Sequence, residues 1–252
     1  DTIDATASSD GAPYGGAFTN DISGDDGDDI ITASVDTAFS GGGQTATNRI
    51  DGGTGDDVIT ATAYSGSNGN DTISNIIDGG AGNDIIRAET GSNTNSSSTV
   101  ATNDIGGGDG NDRITMIAAD SSNTDYPTSS NNAYGDNGND RITSIITTGD
   151  FNFIIALNAT LDGGDGNDRL VTSIVATTEG YYTFHAFPQY ANNELSGGAG
   201  RDVLRAVLDV TSNGAPSANH FSNLLRGGAD ADSLTAQVVA LEFTMPIWTA
   251  CL

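Results

Sequence analysis

Eight times along the chain a glycine-rich turn closes on an aspartate. The turns open on Gly24, Gly52, Gly79, Gly107, Gly135, Gly163, Gly197 and Gly227. They close on Asp29, Asp57, Asp84, Asp112, Asp140, Asp168, Asp202 and Asp232. Successive closing aspartates lie 28, 27, 28, 28, 28, 34 and 30 positions apart. A carboxylate beside exposed glycine carbonyls is a donor set for a hard cation. Calcium takes roughly six to eight oxygens at about 2.3–2.6 Å, mixing carboxylates with carbonyls, whereas magnesium demands tight octahedral geometry and keeps its waters. Zinc and the transition metals prefer His or Cys, and only His185, His220 and Cys251 are present. The opening glycines and closing aspartates are therefore expected to hold several calcium ions, stacked between adjacent turns. At the variable turn position, Asp109, Asn137 and Asp165 are expected to be solvated instead. An EF-hand is excluded, because the loops lack the twelfth-position Glu and the flanking amphipathic helices.

The same residues argue against catalysis. Adjacent acids such as Asp56 and Asp57 resemble a glycosidase pair, but a catalytic pair occurs once and these turns recur along the whole chain. There is no His-Glu-x-x-His motif, no Gly-x-Ser-x-Gly elbow and no phosphate loop. No catalytic site and no organic cofactor are expected.

Charge points the same way. The formal net charge is -26, with 34 acidic residues against eight basic ones, all of them Arg. Such a chain is not drawn to nucleic acid or to an anionic membrane. No apolar run reaches membrane-spanning length, so membrane insertion is not expected. Acidity with few aromatics also describes disordered chains. Here, folding would crowd carboxylates together, so the expected partner is a cation. A single Cys251 excludes an internal disulfide framework, and in a secreted protein metal is the remaining staple. No signal peptide is legible at Asp1.

The turns need elements to hold them. Two residues after each closing Asp stands an aliphatic residue: Ile31, Ile59, Ile86, Ile114, Ile142, Leu170, Leu204 and Leu234. Two further on stands a mostly small one, from Ala33 to Ala236, and a mostly polar residue lies between. Alternation with period two predicts a strand with one inward face. Ahead of the turns, Ile22, Ile50, Ile77, Tyr134, Leu161, Leu195 and Leu225 mark a second strand. An Asn usually precedes them, at Asn20, Asn48, Asn75, Asn103, Asn132, Asn193 and Asn223. Repeats of equal length stack like positions into columns, and stacking buries what one repeat cannot bury alone. The expected fold is an all-β, right-handed parallel β-solenoid, β-roll-like, of about nine coils of roughly 28 residues. Residues 1–237 form the array, and the apolar segment 238–252 caps its end or docks on a neighbour.

The turn consensus Gly-Gly-x-Gly-(Asn/Asp)-Asp-x-(Ile/Leu) resembles the haemolysin-type, repeats-in-toxin (RTX) calcium-binding repeat. The resemblance runs the length of the chain in eight in-phase copies. It implies calcium as the ligand and a secreted or cell-surface bacterial protein. The family commonly sets its nonapeptides back to back, which puts calcium turns on both edges. This chain has one turn per roughly 28 residues, so a single calcium column and an irregular opposite edge are expected.

Two functions fit these readings. One is an extracellular structural or adhesive module that assembles with copies of itself, head to tail, into a filament or matrix. The other is the calcium-folded secretion and folding module of a larger exported enzyme or toxin. Asp1 stands 28 residues before Asp29, in phase with the closing positions, so the chain is expected to be a piece of a longer array. The last two turns are expected to hold calcium weakly or not at all. Arg201 sets a cation beside Asp202, and Asp230 replaces a glycine where a positive φ is expected. The outward threonines Thr32, Thr60, Thr115, Thr143 and Thr235 read as ordinary exposed strand residues rather than an ice-binding ladder. Phe151, Phe153, Tyr181, Tyr182, Phe184, Phe187 and Tyr190 are expected to form a local core under the longer return segments, the alternative being an apolar patch for a partner.

Overall fold

The structure is a computed structural model that describes residues 1–8, 15–37, 43–66, 70–92, 99–120, 128–148, 156–178, 190–212 and 220–242. The described residues form seventeen strands, β1 (Thr2–Ser8) through β17 (Ser233–Glu242). Odd strands form one nine-stranded sheet and even strands one eight-stranded sheet, each in sequence order. All pairings among the described residues are parallel. The fold is an all-β parallel solenoid, and its coils are two-sided. Each coil is an even strand, a Gly-Asp turn and an odd strand.

Register follows the repeat. β9 (Arg113–Asp120) pairs with β11 (Arg141–Thr148), which sets Ile142 on Ile114 and Ser144 on Met116. The alternating residues point inward from both sheets and bury completely: Ile31, Ile59, Ile86, Ile114, Ile142 and Leu170 are no more than 1 % exposed. They meet Ile50, Ile77, Ile105 and Leu161 from the other sheet in one continuous cluster beside the turn edge. A solenoid core is one side chain deep on each sheet, so the apolar surface it buries is thin and stacking has to supply the rest.

The strand before the fifth turn corrects the expectation for Tyr134 and Asn132. β10 (Thr128–Tyr134) pairs Ala133 with Ile105 and Asn131 with Asn103. Ala133 and Asn131 are fully buried, while Tyr134 is 45 % exposed. The inward residue is two before the opening glycine in every coil. At that point the chain carries the small Ala133, and the larger Tyr134 beside it faces outward.

The asparagines form a buried ladder. Asn20 donates from Nδ2 to Oδ1 of Asn48 at 2.8 Å, Asn48 to Asn75 at 2.8 Å, Asn75 to Asn103 at 2.9 Å and Asn103 to Asn131 at 2.8 Å. Nδ2 also reaches across to the facing sheet, as from Asn75 to the carbonyl of Glu89 at 2.8 Å. Each amide thus satisfies both neighbours and ties the two sheets together, which is what a buried polar group requires. The ladder is interrupted at Ala159, where Thr172 Oγ1 donates to Asn193 at 2.9 Å instead.

The return segments between odd and even strands fall largely outside the described residues. So do the aromatics Phe151, Phe153, Tyr181, Tyr182, Phe184 and Phe187 and the tail residues Phe243, Met245, Ile247, Trp248 and Leu252. Tyr190, which is described, is 38 % exposed and stacks on His220 with ring centroids 5.6 Å apart.

Candidate metal centre

All eight turns lie along one edge of the solenoid, joining the end of an even strand to the start of the next odd one. They are bonded coil to coil, as where Gly55 N–H donates to the Ala81 carbonyl and Gly82 N–H to that of Asp109, at 2.7 and 2.8 Å. Positive φ recurs at the second turn position and again at the fourth. At the fourth, Gly110 has φ 145° and Asp230 has φ 77°. Asp230 therefore occupies the left-handed region where glycine is at home, as its sequence context implied.

The closing aspartates point inward. Asp29, Asp57, Asp84, Asp112, Asp140, Asp168 and Asp202 are 2 % exposed or less. From Asp57 onward each offers Oδ1 to the backbone N–H of the closing aspartate one coil earlier: Asp57 to Asp29, Asp84 to Asp57, and Asp112 to Asp84, all at 2.8 Å. The series continues to Asp202 and Asp232. Oδ2 of the seven buried members has no hydrogen-bond partner. Native proteins satisfy nearly all buried polar atoms, so a repeated orphan carboxylate oxygen marks a missing partner.

The opening glycines frame that oxygen. A Cβ on Gly52 would lie 2.6 Å from Oδ2 of Asp57 and 2.4 Å from the carbonyl oxygen of Gly79 in the next coil. At Gly163 the same point lies 2.4 Å from Oδ2 of Asp168 and 2.6 Å from the Gly197 carbonyl. A side chain would fill this space. Oδ2 of the closing aspartate and the carbonyl oxygen of the next coil thus both face the bare Cα of the opening glycine. Two converging acceptors repel unless a cation or a proton sits among them. Among the described residues, no group of three His, Cys, Asp or Glu side chains gathers on one point, so a metal here must complete its shell from carbonyls and water. That donor set fits calcium, a hard cation with flexible coordination.

The electrostatics agree. Burial pushes the carboxyl of Asp84 up to about 6, that of Asp140 to about 7 and that of Asp168 to about 6. The backbone N–H of the preceding closing residue opposes the rise and the adjacent carboxylates add to it. Asp57, Asp112 and Asp202 are raised for the same leading reason. Metal-free, the column is a set of acids held near their charges' limit, and a divalent cation would reverse that.

Of the sequence-selected residues, the structure brings seven closing aspartates and their glycines into one repeated arrangement. Asp232 in the last turn is only half-buried. Arg201 is exposed and its N–H donates to Asn167 Oδ1 at 3.0 Å. Asp109 and Asn137 lie on the exposed rim, joined by a 2.7 Å bond from Asn137 Nδ2. A second ladder escaped sequence reasoning. Asp56, Asn83, Asn111 and Asn139, the residues before the closing aspartates, each accept the N–H of the next coil's counterpart at 2.7–3.0 Å. The Asn/Asp alternation in the consensus was its visible signal. A buried carboxylate at the far edge was also missed. Asp71, 1 % exposed, accepts from Thr37 Oγ1, Ser65 Oγ and the Gln44 N–H. Nothing in the repeat phase announces it.

A family model described as the RTX calcium-binding nonapeptide repeat, four copies, matches residues 14–44, 42–63, 64–94, 158–173 and 190–206. No curated protein and no solved structure matches the chain.

Proposed function

The chain carries RTX calcium-binding repeats in a β-solenoid, and from that premise we propose that it is a calcium-folded structural and adhesive module working outside the cell. The observation that carries this reading is the column of buried, unpartnered Oδ2 atoms from Asp29 to Asp202. Calcium held by the closing aspartates and the carbonyls of the opening glycines supplies the charge that the column lacks. Each ion joins two coils, so binding energy is folding energy. A shell with few carboxylates suits the affinities of extracellular calcium modules, on the order of 10⁻⁴–10⁻³ M. Proteins with RTX repeats are typically secreted bacterial proteins, which supports a bacterial cell surface or secreted location.

The module needs no chemistry of its own. Its acids recur coil after coil in one structural role, and its outer faces are columns of repeated side chains suited to contact. Repetition of a site along an axis is also how a filament or matrix component presents itself. Copies stacked head to tail along the solenoid axis would continue the same columns from one molecule into the next.

Calorimetric titration of the calcium-stripped chain tests the reading. Saturable uptake of several calcium ions per chain, with magnesium unable to replace them, is expected. Absence of calcium uptake at millimolar calcium overturns it. Fractionation of the producing cell checks the location: recovery in the medium or in a chelator wash of the surface supports it, and confinement to the cytoplasm overturns it.

A further inference from the structure

The nine-stranded sheet carries a column of positive charge on its outer face. The first outward residue of each odd strand is Thr2, Ile30, Val58, Ile85, Arg113, Arg141, Arg169, Val203 and Ser233 in successive coils. Arg113, Arg141 and Arg169 stack directly on one another in three adjacent strands. All three are exposed, and none takes part in the ion pairs found among the described residues. Arg205 stands exposed one column over, on the strand beyond Arg169. Like charges set opposite one another on neighbouring strands destabilise a sheet. In a chain of net charge -26, three of the eight arginines pile up where, among the described residues, no carboxylate forms an ion pair with them. The aliphatic residues above them are also bare: Ile30 is 52 % exposed, Val58 39 % and Ile85 49 %.

The opposite outer face carries the complement. The eight-stranded sheet has a groove of about 800 Å³ whose lining includes Asp21, Asp51, Asp78, Asp104 and Asp136 against a single Arg49. Asp51 stacks on Asp78 and Gly106 follows Asp78 in that column, while Asp104 of the same next strand stands one column over, stacked on Ile76. Three carboxylates in three successive coils thus face outward, as three arginines do on the other side. Gly106 leaves the groove open beside Asp78, and the exposed Tyr134 walls its end.

We propose that the Arg113–Arg141–Arg169 column docks side by side into the Asp51–Asp78–Asp104 groove of a second copy of this chain. Spacing selects the occupant. The arginines and the carboxylates both recur in three successive coils, about 4.8 Å apart along the axis, so with the two axes aligned the first two arginines meet Asp51 and Asp78 and the third reaches two residues along the strand to Asp104. A partner with any other repeat falls out of step within a few coils. The two patches lie on opposite faces of one solenoid. A two-fold pair cannot satisfy both at once, and the contact is heterologous and propagates sideways. This lateral contact is separate from axial stacking, and it rests on the calcium-folded module proposed above, because calcium must first fold the coils and lower the net charge that keeps copies apart.

Sedimentation of the full calcium-loaded chain tests the proposal. Exposed ion pairs are weak and are screened by salt. Concentration-dependent oligomers are therefore expected at low ionic strength, dispersing at about 1 M salt, where the Debye length is about 3 Å. R113E/R141E/R169E should be monomeric, as should D51R/D78R/D104R, and an equimolar mixture of the two should assemble again. The calcium-induced circular dichroism of each variant is measured first, and R113Q/R141Q/R169Q replaces a charge reversal that fails to fold. A wild-type chain that does not fold with calcium would defeat the calcium reading itself. A folded wild-type chain that stays monomeric at low salt overturns the lateral contact, and so does assembly by the arginine variant equal to wild type. Retention of the arginine column on an immobilised acidic polysaccharide, without self-association, would also overturn it and assign the stripe to a soluble polyanion.

Discussion

Asp112 and Asp140 stand one above the other, 28 residues apart in sequence, with the N–H of Asp112 donating to Oδ1 of Asp140 at 2.7 Å. The bond spends one carboxylate oxygen on holding adjacent coils in register and leaves Oδ2 of Asp140 buried without a partner. One residue thus locks the stack and presents a negative oxygen to whatever lies between the turns. The dependence of the fold on calcium follows from this double duty.

In calcium-free buffer with chelator the chain should lose its β-sheet circular dichroism and become largely coil, and calcium should restore it. Buried carboxylates from Asp29 to Asp202 repel one another, and the core is too thin to outweigh them. A full β signal in chelator at neutral pH would contradict this.

Asp112→Ala should cost much more calcium-dependent stability than Asp232→Ala. The first leaves the buried N–H of Asp84 without its 2.8 Å acceptor, a loss of about 1–3 kcal/mol before any calcium is counted. It also breaks the array in its middle, where coupling to both neighbours is lost. Asp232 is half-buried in the last turn. Thermal melts at fixed calcium give the comparison, and equal losses would refute it.

Gly107→Ala and Gly106→Ala, one residue apart, should behave oppositely. The new methyl at Gly107 would lie 2.4 Å from Oδ2 of Asp112, whereas at Gly106 the nearest atom, Oδ1 of Asp78, is 3.5 Å away. Calcium affinity should fall at least about tenfold in the first, on the scale of one lost charged ligand. The second should stay within about 0.5 kcal/mol of wild type. Calcium titration of both variants decides.

Stability should respond to pH in opposite senses with and without calcium. In the metal-free fold, burial raises the carboxyls to about 6 at Asp84 and Asp168 and about 7 at Asp140. A raised folded-state value stabilises the fold fully below the unfolded value, near 4, and that contribution disappears as pH rises through about 6 to 7. Calcium-stripped chain should therefore be more folded near pH 4 than near pH 8. Calcium affinity should climb over the same window, because the ligands must first lose their protons. Metal-free chain that is more ordered at the higher pH would sink the assignment.

Asn75→Ala should destabilise the calcium-loaded fold by about 1–3 kcal/mol, since it strands the buried Nδ2 of Asn48. Asn48 would lose its 2.8 Å acceptor, and the facing sheet would lose the bond to the Glu89 carbonyl. Urea unfolding in saturating calcium measures it, and a change below about 0.5 kcal/mol would show that water replaces the amide.

Much of this protein is legible in its sequence because a solenoid repeats its instructions. The closing aspartates fix the phase, and counting from them places Ile31, Ile114 and Leu204 in one buried cluster. The same count puts every Gly-Asp turn on one edge and, with the oxygen-rich consensus, points to calcium. What a single repeat cannot show is how its neighbours resolve local choices. Around the fifth turn, Asn131 and Asn132 are equally good amides, and Tyr134 is more apolar than Ala133. Stacking Gly135 onto the phase of Gly107 decides for Asn131 and Ala133, because a parallel ladder permits no one-residue slip without turning every side chain over. That coils are two-sided, that Oδ1 rather than Oδ2 takes the inter-coil bond, and that Asp71 is buried among Thr37, Gln44 and Ser65 are also decided only in three dimensions. Each depends on which atoms of distant residues meet, and spacing along the chain fixes the column a residue joins but not the direction in which its oxygens turn.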